Sequence, residues 1–328
     1  GMEIPVHHKI EQEYQAIRQE NEELRQKRLQ EVYLRLPRVK QIDEETVRLN
    51  AAMARELFSG GKGRIESARS QVKSLLAERR RLLTGAGYDE NYTAVFYTCP
   101  HCQDTGYIRT KPCRCYREKR LKYLYEYANI SPVMQQQSFD RFQFDFYSRK
   151  AKANREVTPY ENVRSIYQTC RDFADNREYK QGKNLFLYGP AGIGKTFLCS
   201  CIAKALLEQD EFVFYQSAYK IFTSMEEFKF KYQGDSALER VIKMLYETPV
   251  LIIDDLGTEY TNSFIASQFF TCINERLLHR KSTIISTNLS LESLADLYTE
   301  RSFSRITSSY SLLKIIGDDI RIKKKLEH

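Results

Sequence analysis

The stretch "NLFLYGPAGIGKTFLCSCIAKALLE", residues 184–208, joins an apolar β-type run to a helix through a glycine-rich turn. The turn has the form Gly189-x-x-x-x-Gly194-Lys195-Thr196. Glycines at these places let backbone N–H groups wrap around phosphate oxygens without side-chain clash, and the helix that follows points its positive end at them. Strand, turn, lysine, hydroxyl and helix are in register, so the stretch reads as a P-loop. Its phosphate-binding residues are Gly189, Pro190, Ala191, Gly192, Ile193, Gly194, Lys195, Thr196 and Phe197. Lys195 is placed to reach the β- and γ-phosphates of a nucleotide, and the Thr196 hydroxyl to bind Mg2+.

Working outward, further β-type runs occur at 212–216, 250–254, 283–287 and 312–316, with helical segments between them. This alternation predicts an α/β domain with a parallel five-stranded sheet. In "VLIIDDLG" four apolar residues lead to Asp254 at the carboxyl end of a buried strand, where open α/β sheets bind ligands. Asp254 is the candidate Mg2+ carboxylate, and Asp255 occupies the place of a water-activating base, one methylene shorter than glutamate. A capping or turn role is the alternative for Asp255, and Glu259 is a lesser candidate for the base. "TIISTNLS" ends a third strand at Asn288, placed to hold the attacking water or to sense the γ-phosphate. "ERSFSRITSSY" presents Arg301 and Arg305 four apart on a helix, as candidates to act on a neighbouring subunit's site.

Ahead of this domain the pattern differs. Residues 9–83 read as helix, broken at Pro37 and at "SGGKG" (59–63), with heptad-like spacing of Val39, Ile42, Leu49 and Met53, then of Ile65, Ala68, Val72, Leu75 and Leu82. Such thin apolar stripes suit a helical hairpin, and they suit an arm that docks on a partner. "TCPHCQDTGYIRTKPCRC" (98–115) then places Cys99, Cys102, Cys113 and Cys115 in the spacing Cys-x2-Cys-x10-Cys-x-Cys. Four thiolates can close a tetrahedral structural zinc site. A redox Cys-x-x-Cys pair is the rival, with no thioredoxin-like pattern around it, and His101 is a conceivable replacement for one thiol. Cys170, Cys199, Cys201 and Cys272 lie on apolar helical faces and read as core. "SPVMQQQSFDRFQFDFYS" (131–148) reads as a linker with aromatic anchors. The expected division is therefore a coiled-coil-like helical arm (1–92), a zinc module with a basic helix (93–130), a linker (131–157) and the nucleotide domain (158–328).

Composition limits the function classes. The 328 residues carry a net charge of +8, 42% hydrophobic and 29% charged residues, which allows an acidic partner such as nucleic acid. No run is long and apolar enough to span a membrane. Gly1 before Met2 is set aside as a cleavage scar, and "GMEIPVHHKIEQEY" has no apolar signal-peptide core. The expectation is a cytoplasmic protein with reduced cysteines.

The motifs "GPAGIGKT", "LIIDDLGTE", "ISTNLS", "ERSFSRI" and "GDDIR", together spanning about residues 135–321, resemble those of the DnaC/DnaI-type replicative helicase loaders and the related IstB-like transposition helpers, all AAA+ ATPases. The resemblance implies Walker A on Gly189 through Thr196, Walker B on Asp254, sensor 1 on Asn288 and an arginine finger on Arg305, with Arg301 second. Asp255 stands where many AAA+ proteins have glutamate, which implies slow hydrolysis. No C-terminal lid is evident, and Arg321 is a poor stand-in for a lid-borne arginine. The implied function is ATP-dependent loading of a replicative DNA helicase, gripped by the N-terminal arm, onto single-stranded DNA, with ATP, Mg2+ and Zn2+ bound and an ATP-dependent homo-oligomer as the working form. A transposition helper, or a non-catalytic adaptor with fixed ATP, are the alternatives. Phe228, Lys229, Phe230, Lys231 and Tyr232 interleave bases with aromatics as a single-strand contact would; an ordinary amphipathic helix has the same composition.

Overall fold

The computed structural model describes residues 6–59, 62–151, 156–230, 236–257 and 262–326. The chain forms two compact units, one over residues 5–119 and one over residues 120–328. The division falls inside one helix, not at residue 92 or 130, so the arm and the cysteine segment belong to one unit.

The first unit begins with three long helices, α1 (Val6–Arg35), α2 (Pro37–Ser59) and α3 (Lys62–Gly85). The break at Leu36 follows from Pro37, which lacks an N–H and opens α2 where none is required. Helices α2 and α3 pair as a hairpin. Val32, Val39 and Leu83 are fully buried at its base, flanked by Leu36, Leu82, Tyr88 and Tyr92. Leu83, not the heptad-spaced Leu82, is thus the central anchor of α3. Arg79 adds a two-pronged ion pair to Asp43 at 2.7 and 3.1 Å, and the Tyr33 hydroxyl donates to the same carboxylate at 2.9 Å. Leu49, Met53, Ile65, Ala68 and Val72 are only half-buried. Toward the end of α2 the hairpin therefore has little core, and Leu57 and Phe58 stand 69% and 95% exposed. An antiparallel pair, β1 (Tyr107–Ile108) and β2 (Lys111–Pro112), follows, and α4 (Arg114–Ala128) leads across the division.

The second unit opens with α5 (Pro132–Gln135), two 3-10 turns and α6 (Pro159–Asp175). Thr158 and Glu161 form a reciprocal capping box at the start of α6. The sheet follows as β3 (Leu185–Tyr188), α7 (Lys195–Glu208), β4 (Val213–Ser217), α8 (Ala218–Phe230), α9 (Ser236–Glu247), β5 (Val250–Asp254), α10 (Ser263–Leu278) and β6 (Ser282–Thr287). It is completed by α11 (Leu291–Leu297), α12 (Glu300–Ser309) and β7 (Ser311–Lys314). The strand order is β4-β5-β6-β3-β7, every neighbouring pair parallel. All five expected strands are present. Among the described residues one short helix, α13 (Ile320–Leu326), follows β7.

Strand β3 lies between β6 and β7, so its carboxyl end is a point where successive connections leave in opposite directions, the place where such sheets bind ligands. The stretch read as a linker packs on this unit. The Phe142 ring meets Phe197 edge-on at 5.6 Å, Tyr147 donates to the Ile193 carbonyl at 2.7 Å, and Tyr167 donates to the Phe139 carbonyl at 3.0 Å. Residues 139–147 are thus one wall of the nucleotide unit. Cys170, Cys199, Cys201 and Cys272 are buried in its core.

Candidate nucleotide site and cysteine cluster

The turn after β3 carries Gly192 at φ 68° and Gly194 at φ 101°, both in the region that only glycine enters freely. A Cβ on Gly194 would stand 2.5 Å from the Tyr147 hydroxyl, and one on Gly192 would collide with the Asp319 carboxylate. The loop is therefore closed on two sides by side chains distant in sequence. Lys195, 4% exposed, donates to the carbonyls of Gly189 at 2.8 Å and Pro190 at 2.6 Å. Burial draws its ammonium down to about 8, against the opposing charges of Asp255 and Asp254.

Asp254 closes the far side of the site. Its carboxylate accepts from Thr196 Oγ1 at 3.1–3.2 Å, from the Tyr215 hydroxyl at 2.6 Å and from Ser286 Oγ. Tyr215 and Ser286 carry no local motif; their strands only become neighbours of β5 in the folded sheet. Thr196 and Asp254 together offer the hard oxygen donors that Mg2+ prefers, and would hold it. Asp255 takes a left-handed conformation at φ 56°, which Asp tolerates better than most side chains, and its N–H donates to Ser286 Oγ at 3.1 Å. Burial first, then the charge of Asp254, pushes its carboxyl above the usual carboxylate range.

A cleft of about 390 Å³ joins the phosphate loop to Asp255, Asn288, Gln137, Phe197, Ile320 and Arg321. It brings the predicted Lys195, Thr196, Asp255 and Asn288 together, with Asp254 bonded to Thr196 behind them. Arg321, a poor stand-in by sequence, lines this cleft. Asp319 holds its guanidinium at 3.1 and 2.8 Å, and the Ile320 N–H is fixed on the Gly192 carbonyl at 2.9 Å. Arg305 lies elsewhere. It is exposed on α12, donates to Asn274 Oδ1 at 3.2 Å and shares a separate polar cleft with Arg301 and Asp296. The base-and-aromatic stretch ends α8: Phe230 is 70% exposed, and the Lys229 ammonium stands 3.4 Å from the Phe264 ring centre. Lys231, Tyr232 and Glu259 lie outside the described residues.

In the other unit the sulfurs of Cys99, Cys102, Cys113 and Cys115 all lie within 4.8 Å of one another. Cys99 and Cys113 are 3.9 Å apart, and Cys102 and Cys115 are 3.5 Å apart. With Zn–S bonds of about 2.3 Å, a regular tetrahedron has edges of about 3.8 Å. The cluster is consistent with zinc. His101 is exposed and outside it. Buried Asp104 shapes the loop by accepting from the N–H of Cys99 at 2.7 Å, the N–H of Thr98 at 3.0 Å and the Asn21 amide at 2.9 Å. Helix α1 is tied to the same loop. Tyr14 hydrogen-bonds Cys115 Sγ at 3.0 Å, Arg18 donates to the Asp104 carbonyl at 2.9 Å, and His7 hydrogen-bonds the Tyr116 hydroxyl at 2.9 Å. Sequence reading missed this bond between the arm and the cysteines, because nothing in a helical repeat marks which face meets a segment some 90 residues away.

Comparison with known proteins covers mainly the second unit. The replicative helicase loader DnaI of Bacillus subtilis (strain 168) is 32% identical over 139 residues, 41% of this chain and 43% of that protein. An insertion-sequence protein of Bacillus thuringiensis subsp. berliner, named for ATP binding, is 26% identical over 161 residues, 48% of this chain and 62% of that protein. The chain thus spans about half the length of the curated relatives it matches. A crystal structure of the DnaC helicase loader aligns at 22% identity with a TM-score of 0.47, over 57% of this chain and 100% of that one. Among the described residues no helix is long and apolar enough to cross a membrane. Residues 116–328 match the family profile of the IstB-like ATP binding proteins, the region that holds the P-loop, Asp254, Asn288 and Arg321, and the chain belongs to that family.

Proposed function

We propose that this protein is a nucleotide-controlled loader that places a replicative DNA helicase on single-stranded DNA. The observation that carries the reading is the unit that lies almost wholly outside the family match: a helical hairpin with exposed Leu57 and Phe58, preceded by a helix, α1, that is tied to a four-cysteine cluster. Such a unit suits gripping a second protein. The likeness to DnaI supports the same reading, whereas the insertion-sequence relative supports a transposition helper built on the same nucleotide unit.

Lys195 and the loop N–H groups bind the phosphates, and Thr196 and Asp254 would hold Mg2+, which would supply neutralisation of phosphate charge. Asp255 and Asn288 orient water at the γ-phosphate. The short reach of Asp255 makes hydrolysis slow, so the nucleotide acts first as a switch. Arg305, exposed and away from its own cleft, serves a neighbouring subunit's site in a head-to-tail assembly. Zinc closes the cysteine cluster. Lys229 and Phe230 contact single-stranded DNA.

The deciding experiment is co-purification of the full chain with the host's replicative helicase, with and without Mg-ATP, beside Phe58→Glu. Helicase capture that Phe58→Glu abolishes, with nucleotide binding intact, supports the loader. No helicase capture, with a transposase retained instead, moves the protein to the transposition reading.

A further inference from the structure

We infer that the outer face of the β1–β2 hairpin, made by Ile108, Arg109 and Lys111, is a contact for single-stranded DNA. The inference rests on the loader reading for the identity of the polymer. It adds a second contact surface, in the arm unit and outside the residues of the family match.

Three observations meet on this hairpin. The first is charge. Residues 105–117 include Arg109, Lys111, Arg114 and Arg117 and no aspartate or glutamate. Arg114 pairs with Glu118 at 2.7 Å, whereas Arg109, Lys111 and Arg117 are exposed and make no ion pair among the described residues. Four thiolates on Zn2+ carry a net charge of about −2, which the segment's cations outnumber.

The second is direction. Tyr107 stands opposite Pro112, and Ile108 opposite Lys111. Tyr107 packs on Tyr116 with ring centres 5.0 Å apart, and the Tyr116 ring lies parallel to that of Tyr14 on α1 at 6.4 Å. That face is therefore turned inward. Alternation along a strand sends Ile108 and Lys111 to the other face, where Ile108 is 49% exposed. Arg109 follows at the exposed tip.

The third is rigidity. The Gly106 N–H donates to Cys102 Sγ at 3.3 Å, and the Cys113 N–H donates to the Gly106 carbonyl at 2.8 Å. Thr105 Oγ1 donates to the Tyr107 carbonyl at 2.9 Å. The hairpin is thus anchored in the cysteine cluster, so little backbone freedom is lost when its tip meets a ligand.

Cations around an exposed apolar side chain fit a polymer with regular phosphates and uncovered bases. A single strand offers both, whereas a duplex keeps its base faces stacked inside. Arg109 and Lys111 meet phosphates, and Ile108 meets a base or sugar.

The test is anisotropy titration of a labelled oligothymidylate with the full chain, repeated from about 50 to 200 mM salt. Arg109→Asn combined with Lys111→Gln removes both charges, and asparagine suits the left-handed backbone at residue 109, φ 57°. Binding should weaken about 10- to 30-fold near 0.1 M salt, and the log–log salt slope should lose about 1.4, or 0.7 per phosphate contact. Arg109→Lys combined with Lys111→Arg keeps the charges and should bind as the parent does; this pair decides the matter if the neutral pair disturbs the hairpin. Ile108→Ala should weaken binding without changing the slope. A neutral pair with the parent's affinity and slope, or a charge-keeping pair that binds as poorly as the neutral one, overturns the contact. If the neutral pair binds DNA like the parent but loses the helicase, the face meets a protein and this inference fails while the loader reading stands. A parent that captures the helicase but does not bind the oligonucleotide also sinks this contact, and with it the contact at Lys229.

Discussion

The two units solve the same problem with different means. The nucleotide unit buries an all-parallel sheet on both faces: every residue of β5 and β6 is buried, and the site is a set of loops on a scaffold that stands without them. The arm unit has long helices but few fully buried side chains, and its two-stranded element is two residues per strand. Apolar burial contributes about 25 cal/mol per Å², so a thin stripe leaves little surplus over the entropy of ordering the chain. There the four sulfurs, Asp104 and the contacts from α1 take the place of a core. In one unit chemistry is added to a stable frame; in the other the chemistry is the frame.

The largest expected effect tests that contrast directly. Cys102→Ser, or chelation, should unfold the cysteine segment and release the first turns of α1, because structural zinc sites contribute about 10–16 kcal/mol and Tyr14 is bonded to the cluster itself. Hydrogen exchange should show protection lost across residues 6–20 and 98–116, with β3, β5 and β6 as protected as before. Metal analysis should find one zinc per chain in the parent. Full protection in metal-free protein would mean that the arm has a sufficient core after all.

The matching change in the other unit is Arg276→Leu. Arg276 is fully buried and donates to the carbonyls of Leu245 at 3.0 Å, Thr248 at 2.9 Å and Ser282 at 2.6 Å, and to Thr283 Oγ1 at 2.9 Å. It sits at the carbonyl end of α9, where a cation is favoured, although burial draws its guanidinium down to about 10. Leucine leaves those acceptors unpaired, at a cost of about 3–5 kcal/mol. Lysine should not rescue, since one ammonium cannot span the same set of oxygens. The denaturant midpoint of the nucleotide unit should fall while zinc content stays constant. A midpoint within experimental error of the parent's would show that the sheet does not depend on this staple.

What could be read in advance divides along the same line. The P-loop, Asp254 and the five strands are local patterns, a period-two apolar run or a turn with fixed spacing, and these survive without knowledge of the fold. The cysteine spacing is equally local. Arg276 was invisible because a charged residue inside a helical pattern reads as surface; only the approach of α9 and β6 makes its position interior. The wall built by residues 139–147 was hidden in a stretch read as linker, since it depends on Phe142 and Tyr147 folding back onto Phe197 and Ile193. Arg321 reached the cleft because β7 lies beside β3, a pairing that bridges more than 120 residues of chain. Leu83 displaced Leu82 because the core at the base of the hairpin is made with Val32 at the end of α1 and Val39 at the start of α2, a meeting of three segments that a repeat within α3 does not mark.

A smaller effect sharpens the assignment within the nucleotide unit. Lys195→Ala removes a charged contact to the phosphates and should weaken Mg-ADP binding by about 10- to 150-fold. Arm protection and zinc content should not change. Parental affinity in this variant would remove the P-loop from the binding site.

The smallest effect is a pH dependence that belongs to this unit alone. The free protein holds the Lys195 ammonium near 8 because burial outweighs the pull of Asp255 and Asp254, with Arg321 pushing the same way as burial. Bound phosphate stabilises the ammonium, so binding above pH 8 takes up a proton and affinity must fall as pH rises. From pH 7.5 upward the nucleotide's own phosphates are ionised, so the lysine dominates the change. A shift from pH 7.5 to 9 should weaken Mg-ADP binding by about tenfold in the parent and hardly at all in Lys195→Met. Stability of the free protein carries the opposite sign. The folded lysine releases its proton near 8 and the unfolded one near 10.5, so between these values the unfolded chain holds more protons and Lys195 contributes increasing stability as pH rises. Weaker binding alongside a rising parent-minus-variant stability is therefore the signature of a buried lysine. If both quantities fall together between pH 8 and 9, some other group governs the site, and the amino group of Lys195 is not the buried cation that meets the phosphates.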